Sequence, residues 1–178
     1  MHLHLHLRLR AVRYSVAFAT ISKGDLLAMP QTRSLVVAGA LLFFLGLVQG
    51  SGVPMFANPR MALSAHLTAV QSGMAIMIVG AVWSAVSLSN ALAKAARWTI
   101  TVGMYGLWLG LTLSAATGAS ETLPIAGAGH RATPIAETAV STIVFGSSGL
   151  MTVGWLLFVV GLIRSKQASP GGVEAEGF

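Results

Sequence analysis

The charged side chains of this sequence stand far apart, and the gaps between them set what the chain can fold into. After Arg33 the next charge is Arg60, followed by Lys94, Arg97, Glu121, Arg131, Glu137 and Arg164. Four uncharged windows result: Ser34 to Phe56, Ala62 to Leu88, Trp98 to Gly118 and Thr138 to Ile163. A helix needs about 20 mainly apolar residues to cross the hydrocarbon core of a bilayer, and each window is long enough. The expected fold is an all-α integral membrane protein. A four-helix transmembrane bundle at about 34–56, 62–88, 98–118 and 138–163 would fill a domain of 34–163, with a tail at 164–178.

Composition narrows the chemistry. Charged residues make up 9% of the chain, against roughly 25% in a soluble domain. The 20 glycines follow no collagen period and sit in no Pro/Ser tract, so fibre and low-complexity linker are excluded. There is no cysteine, which removes disulfides, thiolate-bound haem, iron–sulfur clusters and cysteine zinc sites. Any metal must be held by histidine, carboxylate or neutral oxygen.

The positive residues predict orientation. Arg8, Arg10, Arg13, Lys23 and Arg33 precede the first window, Lys94 and Arg97 lie between the second and third, and Arg164 and Lys166 follow the fourth. The other two connections carry only Arg60 and Arg131. The positive-inside rule then places both termini in the cytoplasm of a multi-pass plasma-membrane protein, with the Arg60 and His130 loops outside. A pI near 10.9 is therefore a topology signal. The basic residues are scattered along membrane edges, so no nucleic-acid partner is expected; the lipid bilayer is the partner.

The first 33 residues read as a basic segment, disordered or belonging to a mis-assigned start with Met29 as initiator. A targeting peptide is the other option, since the stretch to Lys23 is free of acids. His2, His4 and His6 alternate with leucines and could share one strand face as metal ligands, but nothing pairs such a strand.

His66 is the leading functional candidate. Apart from Tyr105 it is the only titratable side chain inside a window, and ionisable groups at membrane depth usually line a site or cavity. It could equally be a packing residue bonded to a backbone carbonyl. Its helical face includes Ala62, Ala69, Val70, Gly73 and Met77, a small apolar wall suited to a planar macrocycle, with Ala69 and Gly73 as cofactor contacts. With no second histidine in the membrane, a single-ligand haem site fits better than a bare ion. Gln49, Gln71, Ser72, Thr101 and Tyr105 could line such a pocket or bond between helices. Small residues, among them Gly39, Gly46, Gly106, Gly110, Gly146 and Gly149, recur at spacings that allow close helix contact. Trp83, Trp98 and Trp155 fall near window edges, as aromatic belts do.

The connection from Glu121 to Glu137 is too rich in proline and glycine for a helix and reads as a cap over the outer mouth. Asn58, Arg60, His130, Arg131 and Glu137 are candidates for an entry loop. An interfacial salt link involving Glu137 is the plainer reading.

Asn58, Pro59, Arg60 and Met61, followed by Leu63 and His66-Leu67, form a run that resembles the hydroxylaminobenzene mutase family of small four-helix membrane proteins. Tyr105-Gly106 is a second match. The stretch from Pro124 through Gly127 and Gly129-His130-Arg131 to Pro134 and Glu137 is a third. That family is similar to styrene oxide isomerase. The resemblance implies a homo-oligomer, with a trimer among the options, that uses ferric haem b as a Lewis acid on a small apolar aromatic hydroxylamine or epoxide. His66 would be the axial iron ligand, with Ser72 and Tyr105 as substrate contacts. The sequence departs from the pattern at Ser72, where the family has Asn, and at Gly110-Leu111, where mutases have Asn-Trp. A non-enzymatic haem-binding protein and a cofactor-free accessory protein are the alternatives, with transport ranked below both.

Overall fold

The computed structural model describes residues 23–167; the His2, His4 and His6 segment, the Met29-start question as it concerns residues 1–22, and the tail from 168 lie outside the described residues. Four long helices form in chain order: α1 (Lys23–Ser51), α2 (Pro59–Ala81), α3 (Asn90–Thr117) and α4 (Pro134–Gln167). Single 3₁₀ turns, Val53–Met55 and Trp83–Ala85, complete the elements, and no strand occurs among the described residues. Each helix contains a stretch long and apolar enough to cross a membrane: Thr32–Ser51, Pro59–Ala81, Asn90–Thr117 and Pro134–Ser165.

The helices differ from the windows at their ends. α1 begins at Lys23, inside the segment expected to be disordered. α2 stops at Ala81, short of Leu88, and α3 takes in Lys94 and Arg97, which the charge pattern assigned to a loop. Charges mark where lipid ends, and a helix can continue beyond that point into water. Arg97 puts its guanidinium 5.5 Å from the centre of the Trp83 ring, a cation–π contact. Trp83 stacks on Phe158 at 6.2 Å, and Trp155 meets Phe158 edge-on at 5.5 Å. Two of the three expected belt tryptophans therefore pack inside the bundle end, while Trp98 is exposed.

Successive helices run antiparallel and pack in sequence order, α1 on α2, α2 on α3 and α3 on α4, while α1 and α4 scarcely touch. Glycine makes these approaches close. A Cβ at Gly73 would lie 2.5 Å from the Phe43 backbone nitrogen, and one at Gly103 would lie 2.7 Å from that of Met151. Backbone atoms that near leave no room for any side chain, which is how helices associate where lipid is as apolar as leucine. Gly146 and Gly149 have nothing within 4 Å of such a Cβ, so they serve no helix interface among the described residues.

Caps explain where the helices begin and end. Asn58 precedes Pro59 at the first position of α2, and its side-chain oxygen accepts from the Met61 N–H at 3.1 Å. Gly118 ends α3 with φ of +80°, a left-handed conformation that suits glycine. The stretch 118–133 is free of helix and folds back as a cap: Leu123 and Ala126 pack on Met61, Ala65, Leu111 and Ala115.

Candidate functional site

His66 projects from α2 against the last turns of α1. Its Nδ1 lies 2.7 Å from the carbonyl oxygen of Gly46. A carbonyl can only accept, so Nδ1 carries the proton and donates it, and in a neutral ring the lone pair is then on Nε2. Nε2 makes no hydrogen bond, and no buried side-chain nitrogen or oxygen among the described residues lacks one, so Nε2 reaches the accessible surface. Gly50 is the floor of the ring's slot: a Cβ there would sit 2.8 Å from both Cε1 and Nδ1. Gly50 thus gives the imidazole room to lie on the α1 backbone, and the Gly46 carbonyl one turn earlier anchors one of its nitrogens.

This arrangement is the one that metal-binding histidines use, in which the far ring N–H is fixed by a carbonyl so that the near nitrogen points its lone pair outward. His66 therefore fits an axial ligand. The surface around it differs from the expected wall. Ala69 is fully buried against Gly46, and Gly73 lies against Phe43 and Gly39, so α1 already covers that strip. One turn away on α2 lie Leu63, which is exposed, and Val70, which lies close to Gly46 of α1.

Ser72 and Tyr105 are not gathered around His66. Ser72 is buried on α2, about 9 Å further along the axis and well round the helix from His66. The Tyr105 hydroxyl donates to the Ala38 carbonyl at 2.7 Å. Ala38 and Gly46 are eight residues apart on α1, which separates the two anchored side chains by about 12 Å along that helix. Tyr105 lines its own cavity of about 430 Å³, together with Ala38, Thr101, Gly106, Trp108 and Leu109. Its walls are almost wholly apolar.

Trp108 is the residue that sequence reasoning misses. Its indole N–H donates to Gln49 Oε1 at 2.7 Å, Gln49 Nε2 donates to Thr112 Oγ1 at 3.1 Å, and that hydroxyl donates to the Trp108 carbonyl at 2.8 Å. The circuit joins α1 to α3 at membrane depth. A signal for it was present: Trp108 lies mid-window, where an indole N–H has no water and needs an acceptor.

The candidate entry-loop residues divide by role. Asn58 is fully buried, donates from Nδ2 to the Ala126 carbonyl at 3.0 Å, and so straps the cap to α2. Glu137 is also buried, and its carboxylate accepts from the backbone N–H groups of Ser120, Glu121 and Ala132 at 3.0 to 3.2 Å. Three backbone donors left over by the turns converge on this carboxylate, the charge of Arg131 also acts on it, and an anion at the start of α4 suits the helix dipole. Arg60 and Arg131 are exposed. His130 and Arg131 border a polar cleft of about 470 Å³ in the cap. No groups of three or more histidine or acidic side chains that could hold a metal ion occur among the described residues.

A small all-helical protein with four helices long and apolar enough to cross a membrane, and a histidine seated on a glycine within one of them, is the class that this architecture defines. Residues 31–163 match the family model for styrene oxide isomerase, and the chain belongs to that family. It is 37% identical over 131 residues to the hydroxylaminobenzene mutase HabA of Ectopseudomonas oleovorans, covering 73% of this chain and 97% of that protein. It is 38% identical over 140 residues to HabB of the same organism, covering 78% and 85%. No solved structure matches at a significant level.

Proposed function

We propose that this protein is a membrane isomerase of the mutase type, which rearranges a small apolar aromatic hydroxylamine or epoxide without net redox change. Family membership and the two mutase relatives support the reaction class. The observation that carries the site is the His66 Nδ1–H bond to Gly46, which leaves Nε2 free at an apolar surface. In this reading His66 would hold haem b, and both termini are cytoplasmic in the plasma membrane. When bound, ferric haem supplies a Lewis acid that polarises a departing oxygen. The chain's own part is to fix the imidazole tautomer, exclude water and admit lipid-soluble substrate. Ser72 and Tyr105 do not reach a ligand at His66 within one copy, and a homo-oligomer would enclose the site.

The test is in two parts. Detergent-purified protein is expected to show a Soret band that His66→Ala loses. Membranes containing the protein are expected to form isomer from a panel of aryl hydroxylamines and aryl epoxides; no product above empty membranes would overturn the enzymatic reading. Haem binding without isomerase activity is the second reading, favoured by the Tyr105 hydroxyl, which is already committed to Ala38.

A further inference from the structure

The face that α1 shows to His66 is smooth. Gly46 and Gly50 bring backbone close to the ring but offer no side chain that would fix the roll of α1, and the Gly46 carbonyl must point at Nδ1 within a narrow angle to accept its proton. α1 packs on α2 along its length, at Gly39 and Phe43 against Gly73 and at Gly46 against Ala69 and Val70, and its last turn is tied in addition to α3. α1 has little backbone contact with α3, and among the described residues two sets of side-chain hydrogen bonds link them: Tyr105 to Ala38, and the Trp108–Gln49–Thr112 circuit. Gln49 lies in the same turn as both glycines, three residues after Gly46 and next to Gly50. Its amide has one possible orientation, since an indole N–H only donates and so must face Oε1.

We propose that Gln49, held by Trp108 and Thr112, is a positioning residue for His66. By fixing the last turn of α1 it aims the Gly46 carbonyl at Nδ1, which favours the tautomer with its proton on Nδ1 and its lone pair on Nε2. The inference deepens the reading of His66 as the binding residue. It assigns a role to Trp108, which touches neither His66 nor its slot in any recorded bond.

The experiment reads the tautomer directly, on full-length protein prepared without haem and labelled with ¹⁵N-histidine in lipid nanodiscs. His66→Ala identifies the His66 signals among the five histidines. Wild type is expected to hold the Nδ1–H form. Gln49→Leu and Trp108→Phe are expected to move the tautomer ratio about tenfold towards the Nε2–H form, which free imidazole prefers. Thr122→Val, which removes a polar contact with Ser141 in the cap, is expected to leave it unchanged. If Gln49→Leu fails to fold by circular dichroism, Thr112→Val decides, with a smaller shift in the same direction expected. Folded variants with an unaltered tautomer would overturn the proposal, as would an equal shift in Thr122→Val. Because the protein is haem-free, a missing Soret band in the companion experiment counts against the haem reading alone.

Discussion

Gly50 lies directly beneath the imidazole of His66, where a methyl group would stand 2.8 Å from Cε1 and Nδ1. Gly50→Ala is therefore expected to tilt the ring off the α1 backbone and stretch its bond to Gly46. Haem titration of the purified protein should show affinity reduced about tenfold, equivalent to roughly 1.4 kcal/mol. Gly52→Ala, whose nearest neighbour would be 3.7 Å away, should bind as wild type does.

Gly73 tests the packing that brings α1 and α2 together. Its added Cβ would meet backbone atoms of Phe43 and Gly39 at 2.5 to 2.8 Å, and backbone cannot rotate aside as a side chain can. Overpacking of this kind costs about 1–3 kcal/mol. Gly73→Ala should lower the thermal midpoint in detergent, whereas Gly149→Ala, in open space, should leave it unchanged.

The cap depends on two buried groups that can be varied separately. Asn58→Ala loses both the oxygen that caps α2 and the donor to Ala126. Helix caps are worth about 1 kcal/mol, so this variant should be less stable than wild type by at least that much in chemical denaturation. Glu137→Gln keeps the shape but gives up charge-assisted bonds to the Ser120, Glu121 and Ala132 N–H groups, each bond to a charged group being worth roughly 1.5–3 kcal/mol. Limited proteolysis should then cut within 118–133 faster than in wild type.

The absence of cysteine makes orientation simple to measure. A single Ala128→Cys in the exposed cap should react with a membrane-impermeant maleimide added to intact cells, and Ser84→Cys, in the turn between α2 and α3, only after lysis. The reverse pattern would invert the assigned topology.

Much of the architecture was legible because lipid imposes a coarse rule: long stretches without charge become spans, and a solitary histidine inside one draws attention. The motif residues Asn58 and Glu137 were also visible, but their roles were not, because a buried asparagine or carboxylate looks the same in sequence whether it meets a ligand or a backbone N–H. Ala69 and Gly73 illustrate the same limit. Small residues beside a histidine can make room for a flat ligand or for a neighbouring helix, and periodicity gives their face without saying which element occupies it. Trp108 and Gln49 are 59 positions apart, and no local pattern relates them.

The sequential order of helix contacts bears on how the molecule is made. α1 packs on α2, α2 on α3 and α3 on α4, so the contacts are local in sequence and few long loops must close for the helices to dock. The His66–Gly46 bond lies within the first pair, and the Trp108–Gln49 bond joins that pair to α3. With Gln49 as the positioning residue, the seat of the histidine is complete only once the third helix has docked.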